Sequence, residues 1–71
     1  MRYIFVVDYT NLNYEEHNSF TIPKGTIVDL QLVIKYKNRN SVAIIYSPLL
    51  KGGKVSIPST DLIVCAREYK E

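Results

Sequence analysis

The sequence predicts a small all-β domain of five short strands arranged as a partly open barrel. Three observations lead there. Val28, Leu30, Leu32, Ile34 and Tyr36 alternate with Asp29, Gln31, Val33 and Lys35, which places the first set on one face of a strand. Segments rich in β-branched residues are separated by turns containing Asn, Gly or Pro. No stretch carries a helical period strong enough to compete with these signals. The chain has 71 residues, enough for one domain, with a core from about residue 3 to 66 and a tail at 67–71.

The first strand is expected over about Tyr3 to Asp8. A long connection follows from Thr10 to Lys24, and connections of this length inside compact domains tend to be functional. Asn11, Asn13, Asn18 and Ser19 give it turn chemistry, while Tyr14 and Phe20 give it side chains to pack. A helix over Asn13 to Ser19, capped by Asn13 with Glu16 at its third position, is the weaker alternative to an irregular or hairpin-like loop.

After the alternating strand, Lys37-Asn38-Arg39-Asn40 reads as a tight turn, because Asn tolerates left-handed backbone. Ser41 to Tyr46 is a β-branched strand, and Pro48 blocks its continuation. Lys51-Gly52-Gly53-Lys54 supplies the next turn, its glycines free to take positive φ. Val55 and Ile57 alternate in a short strand ended by Pro58. Leu62 to Ala66 is expected as the last strand, with Arg67 to Glu71 a frayed tail.

Composition limits the chemistry. One Cys, Cys65, precludes an internal disulfide, and with one distant His, His17, no zinc site is expected. The core must then be hydrophobic, and a hydrophobic fraction of 46% is ordinary for a globular chain. No apolar stretch approaches the ~20 residues that span a bilayer, and the N-terminus lacks the apolar region of a secretory signal. A reducing, cytoplasmic setting is the resulting expectation.

The net charge of +2 does not announce a nucleic-acid protein, yet its distribution is uneven. Lys35, Lys37, Arg39, Lys51 and Lys54 lie between Leu30 and Thr60 with no acid among them. Asp8, Glu15, Glu16 and Asp29 precede that stretch, and Asp61, Glu68 and Glu71 follow it.

Matched segments stand at the two ends. Phe5-Val6-Val7-Asp8-Tyr9 occupies the place of an ALYDY motif, and a loop carrying Glu15 and Glu16 follows it. The loop closes into Pro23-Lys24-Gly25-Thr26-Ile27, and the chain finishes with Ile57-Pro58-Ser59-Thr60-Asp61-Leu62. In order and spacing these segments resemble the Src-homology-3-like barrels, over nearly the whole chain from Phe5 to Val64. The resemblance implies an acidic loop after the first strand, a diverging turn at Gly25, and a binding face where that loop meets the turn at Lys37 to Asn40.

Departures from the pattern bear on function. Members that hold proline-rich ligands use an aromatic-lined groove. Here the groove positions carry Val7, Tyr9, a Trp-free stretch from Ser41 to Ala43, and Asp61 or Leu62. Tyr9 and Pro58 alone survive, so a polyproline helix loses its flat platforms. Bacterial, phage and organellar barrels of this shape often lack the groove, and this chain is more similar to those.

Candidate residues follow from these readings. Glu15 and Glu16 would attract a basic segment, and Tyr14 beside them is the best of the six tyrosines for a contact role. Each competes with a bland reading, as a solvated loop or a half-buried strand Tyr. Adjacent loop acids have no fixed separation and make a poor catalytic pair. His17 has no nucleophile at a suggestive spacing, and Lys24-Gly25-Thr26 lacks the upstream Gly of a phosphate loop. Cys65 reads as a small core residue. Neither an enzyme nor a cofactor is expected.

The expectation is a non-enzymatic protein-binding module, a small regulatory, inhibitory or accessory protein, with a phage or mobile-element origin as a guess from size. Its partner face comprises Tyr9, Tyr14, Glu15, Glu16, Lys37, Arg39 and Pro58. The alternative is a nucleic-acid-binding barrel using Lys35, Tyr36, Lys37 and Arg39, charge beside a stacking ring. Lys51 and Lys54 would lie about 20 Å away, at the other end of the strand from Ser41. A third reading is a homo-oligomer, formed by pairing of an edge strand at Arg2 to Val7 or Leu62 to Ala66. No membrane partner is expected.

Overall fold

The structure, a computed structural model, describes residues 1–13, 18–37, 40–50 and 52–70, the side chains of 12, 13 and 18 excepted. In chain order the elements are β1 (Arg2–Phe5), β2 (Tyr9–Asn13), β3 (Asn18–Ile22), β4 (Ile27–Ile34), β5 (Val42–Tyr46), β6 (Lys54–Pro58), α1 (Ser59–Cys65) and β7 (Ala66–Glu68). The chain is mostly β, as predicted. Five strands form an antiparallel sheet in the order β6-β5-β4-β1-β7, and β2 pairs with β3 in a separate two-stranded sheet. The five-stranded sheet is not closed, since β6 and β7 are its two edges.

Inward side chains build one core. Phe5, Tyr9, Ile22, Val28, Ala43, Ile45, Leu50, Ile57, Leu62 and Ala66 are buried, with Tyr3, Phe20, Leu30, Val55 and Cys65 packed against them. Tyr9 lies between two rings, 5.7 Å from Phe5 and 6.5 Å from Phe20 by centroid. Those spacings suit tilted aromatic packing. The long connection is thus a hairpin seated on the core, as the preferred sequence reading has it.

The first strand is shorter than expected, ending at Phe5 because the chain bends over residues 6–7. Phe5 then exchanges bonds with the turn below it. Its amide donates to the Thr26 carbonyl at 3.0 Å, and Gly25 N–H donates to the Phe5 carbonyl at 2.7 Å. Thr26 N–H closes that turn on the Pro23 carbonyl at 3.1 Å, with Gly25 at φ 89°. Positive φ at the third position of such a turn is cheap only for Gly. A turn with Gly25 in left-handed backbone stands where the sequence has it. Gly53 (φ 80°) is likewise in left-handed backbone, and a Cβ there would stand 3.1 Å from the Tyr46 ring.

Two expectations are corrected. Alternation on β4 does not run through: Leu30 pairs with Ile45 but Leu32 with Ile44, so Gln31 is an extra residue. This bulge turns Val33 to the inner face opposite Ala43 and sends Leu32 outward, 54% exposed. The second correction concerns the end of the chain. Ser59–Cys65 form α1, which buries Leu62, so of the strand expected over Leu62 to Ala66 only Ala66 is extended, as the start of β7. The supposed tail contains β7, which pairs with β1. Strand β1 is therefore interior, and the free edges belong to β6 and β7 rather than to Arg2 to Val7 or Leu62 to Ala66.

Arg67 explains how so short a helix ends. Its Nη1 donates to the carbonyls of Ile63, Val64 and Ala66 at 3.2, 3.4 and 2.8 Å. The first two are C-terminal carbonyls of α1, Ala66 belongs to β7, and a cation there also suits the helix dipole.

Candidate functional site

The first turn of α1 is the structural junction of the molecule. Pro58 ends β6, opposite Val42, and occupies the N-cap with φ −57°, a value its ring already imposes. Ser59 N–H then donates to the Ser41 carbonyl at 3.0 Å, tying the helix to the end of the 35–41 connection. Two residues on, Asp61 Oδ2 accepts a 2.5 Å bond from the Tyr9 hydroxyl, at the base of the β2–β3 hairpin. Asn11 Nδ2 donates in turn to the Tyr9 oxygen at 2.9 Å. Hairpin, helix and connection are therefore linked by two hydrogen bonds, Tyr9–Asp61 and Ser59–Ser41, and Asn11 buttresses the first from within β2.

Electrostatics at this junction favour the protonated phenol. Burial pushes the Tyr9 pKa well above the usual phenol range, and the Asp61 bond adds to the effect, while the Asn11 bond opposes it. With the residue only 6% exposed, its ring belongs to the core and its oxygen to the Asn11–Asp61 chain.

The hairpin base is braced from its other side as well. Asp8 Oδ1 accepts from Lys24 N–H at 2.8 Å, joining the start of β2 to the turn after β3. Thr10 and Thr21 hydroxyls meet at 3.1 Å across the hairpin, where the two residues are directly paired.

The sequence-predicted residues divide into three groups. Pro58 is the half-buried N-cap of α1, and Tyr9 reaches the first turn of that helix through Asp61. Lys35, Tyr36 and Lys37 are exposed beyond the end of β4, in the connection that Ser41 closes. Tyr14, Glu15, Glu16 and Arg39 lie outside the described residues, as do His17 and Lys51. Lys54 pairs with Tyr46 at the far end of β5, about 13 Å from Val42 at ~3.3 Å per residue. It forms no patch with Lys35 and Lys37.

Two participants were missed from sequence. Asn11 was read only as a turn former, and Asp61 only as a groove position that lacks its aromatic. The available signal was Asp61 in the first turn of a segment opened by Pro58 and Ser59, a helix-start pattern. Among the described residues no group of three or more His, Cys, Asp or Glu gathers as metal ligands, and no helix is long and apolar enough to cross a membrane.

Comparison with known protein families, curated proteins and solved structures returned no significant match for this chain.

Proposed function

We propose that this chain is a non-enzymatic protein-binding module with a Src-homology-3-like arrangement, acting by occupying a partner's surface from a cytoplasmic setting. One observation carries the reading: the first turn of α1 holds the β2–β3 hairpin through Tyr9–Asp61 and the 35–41 connection through Ser59–Ser41. A hairpin whose base is fixed by the buried Tyr9 ring and the Tyr9–Asp61 bond loses little entropy there on binding, and in sequence its two strands are joined by residues 14–17. By sequence those residues include Tyr14, Glu15 and Glu16, while the neighbouring connection carries Lys37 and Arg39. Mixed charge of this kind suits a protein surface better than a phosphate backbone. The diverging turn at Gly25 and the helix after Pro58 fall where the resemblance has its turn and its closing motif.

Proline-motif binding is not part of the proposal. By the resemblance the last platform position falls on Asp61 or Leu62, neither of them aromatic, and Asp61 is bonded to Tyr9. A regulatory or inhibitory role follows from binding without catalysis.

The second reading is nucleic-acid binding, favoured by the shared exposure of Lys35, Tyr36 and Lys37. One pull-down from the native host's lysate separates the two. The bait is wild type beside a Tyr14→Ala/Glu15→Ala/Glu16→Ala variant, each with and without nuclease. A protein held by wild type, lost by the variant and indifferent to nuclease is the expected result. Recovery that needs nucleic acid and survives the loop changes would overturn the first reading in favour of the second.

A further inference from the structure

The sheet carries a second apolar face. Opposite the core, Ile34, Val42 and Pro58 form one cross-strand row and Leu32, Ile44 and Ser56 the next. A third row sets Asp29, Tyr46 and Lys54 side by side at the end of the face. Helix α1 lies on the other side of the sheet, across a cleft from Ala43. Leu32 and Tyr46 are exposed, the remaining apolar members are half-buried, and all stand outside the core cluster.

Strand β5 has no alternation of polar with apolar residues. Val42, Ile44 and Tyr46 face outward, and Ala43 and Ile45 are buried inward. Strands covered on both faces read this way, whereas a strand with one face in water alternates. Ser56 is the one polar residue in the first two rows, and the ionised groups are confined to the third. A small domain gains much from covering such a face, because its single core supplies little stability.

We infer that this face is covered by the same face of a second copy of the chain, related by a twofold axis running along β5. Such an axis exchanges β4 with β6 and keeps position along the strands, so each row meets its own image. Ile34 packs on Pro58 of the second copy, Leu32 lies over its Ser56, and Val42 and Ile44 meet their own images. In the third row Lys54 stands over Asp29 of the second copy, and Asp29 over its Lys54. Two opposite-charge pairs then close the end of the interface, across sheets about 10 Å apart. Asp29 also holds the Met1 amino group in an exposed pair, and so lies between two cations. A twofold axis across the strands would instead set Lys54 on Pro58 and Asp29 on Ile34, desolvating each charge without a partner. The three strands offer a footprint of about 14 Å by about 17 Å. That falls short of the standard interface of about 800 Å² per partner, so the dimer is weak and depends on concentration. The hairpin takes no part, which makes this inference independent of the reading above.

The test is sedimentation velocity of the full chain at low salt, from about 10 μM to about 1 mM. Expected is a monomer–dimer equilibrium with a Kd of about 0.1 mM. Leu32→Asp puts a charge into the face at an exposed position and should weaken the dimer at least about tenfold. Lys54→Glu sets like charges over each other and should weaken it about fivefold, while Lys54→Glu/Asp29→Lys should restore it to within about twofold. The Tyr14→Ala/Glu15→Ala/Glu16→Ala variant should dimerise as wild type does. Each variant is first shown to melt cooperatively at about 10 μM, where the chain is monomeric. A wild type that stays monomeric throughout would overturn the inference and leave the face to a different protein. A dimer indifferent to Leu32→Asp, the sign of edge pairing through β6 or β7, would overturn it too. So would a double charge variant no tighter than Lys54→Glu alone.

Discussion

The hydroxyl of Tyr9 sits between a donor amide on Asn11 and the acceptor carboxylate of Asp61. Its ring is held by Phe5 and Phe20, so Tyr9→Phe removes the hydrogen bonds while keeping the packing. The expected cost is about 1–2 kcal/mol at neutral pH, since a bond to a charged acceptor is lost and Asp61 is only half-buried. The pH dependence has a definite sign. The folded-state pKa lies above the unfolded value of about 10, so the folded chain keeps a proton that the unfolded chain has released. That contribution is complete below about pH 10 and is lost as pH rises through the folded value. Wild type should therefore lose stability above about pH 10 more steeply than Tyr9→Phe, by at most about 1.4 kcal/mol per pH unit. Urea midpoints of the two proteins from pH 7 to 11 measure the difference. Parallel curves would mean that the Tyr9 phenol titrates normally.

At the scale of the element, the bulge on β4 decides which hydrophobic residues matter. Leu32 faces out, so Leu32→Thr should change stability by no more than about 0.5 kcal/mol. Ile45→Ala, by contrast, deletes a fully buried side chain and should cost about 2–4 kcal/mol. Strict alternation along β4 would bury Leu32 and make both substitutions severe, so thermal denaturation of the pair tests the register directly. The same strand shows what was legible in the sequence. Its existence follows from the alternation of Val28 to Tyr36, but a bulge inserts one residue without any composition signal at Gln31. The glycine turns were legible because Gly25 and Gly53 have few alternative uses in so short a chain. Helix α1 was not, because Ile63 and Val64 favour strand, and seven residues with one buried position show no helical period. Local preference is overridden there by the burial of Leu62 and by Arg67 bonding the terminal carbonyls. Of the candidate site, Tyr9 and Pro58 were visible through their motifs, whereas Asp61 acts through a contact 52 residues distant, which no local pattern encodes, and Asn11 acts only on the Tyr9 hydroxyl that contact holds.

For the molecule as a whole, the two chain ends share one edge of the sheet. Strand β7 pairs with β1 from Tyr3–Glu68 to Phe5–Ala66, and Tyr69 N–H extends the ladder to the Arg2 carbonyl at 2.8 Å. The Met1 amino group reaches Asp29 at 3.3 Å, an exposed pair of small energetic weight. Deleting residues 66–71 would strip β1 of one partner, uncover the core at Ala66, and remove the Arg67 bonds that finish α1. A small domain has little stability in reserve, so the truncated chain should lose its cooperative thermal transition. Length alone is not the reason, and a circular permutant separates the two causes. Joining residue 71 to residue 1 by a short Gly/Ser linker and opening the chain between Lys37 and Asn38 keeps every strand pairing, because Arg2 and Tyr69 are already neighbours. That permutant should melt cooperatively, within a few degrees of wild type. A truncated chain that melts like wild type would show that the sheet effectively ends at β1. A permutant that fails to fold while the truncation survives would place the weight on the 35–41 connection, whose Ser41 holds the start of α1.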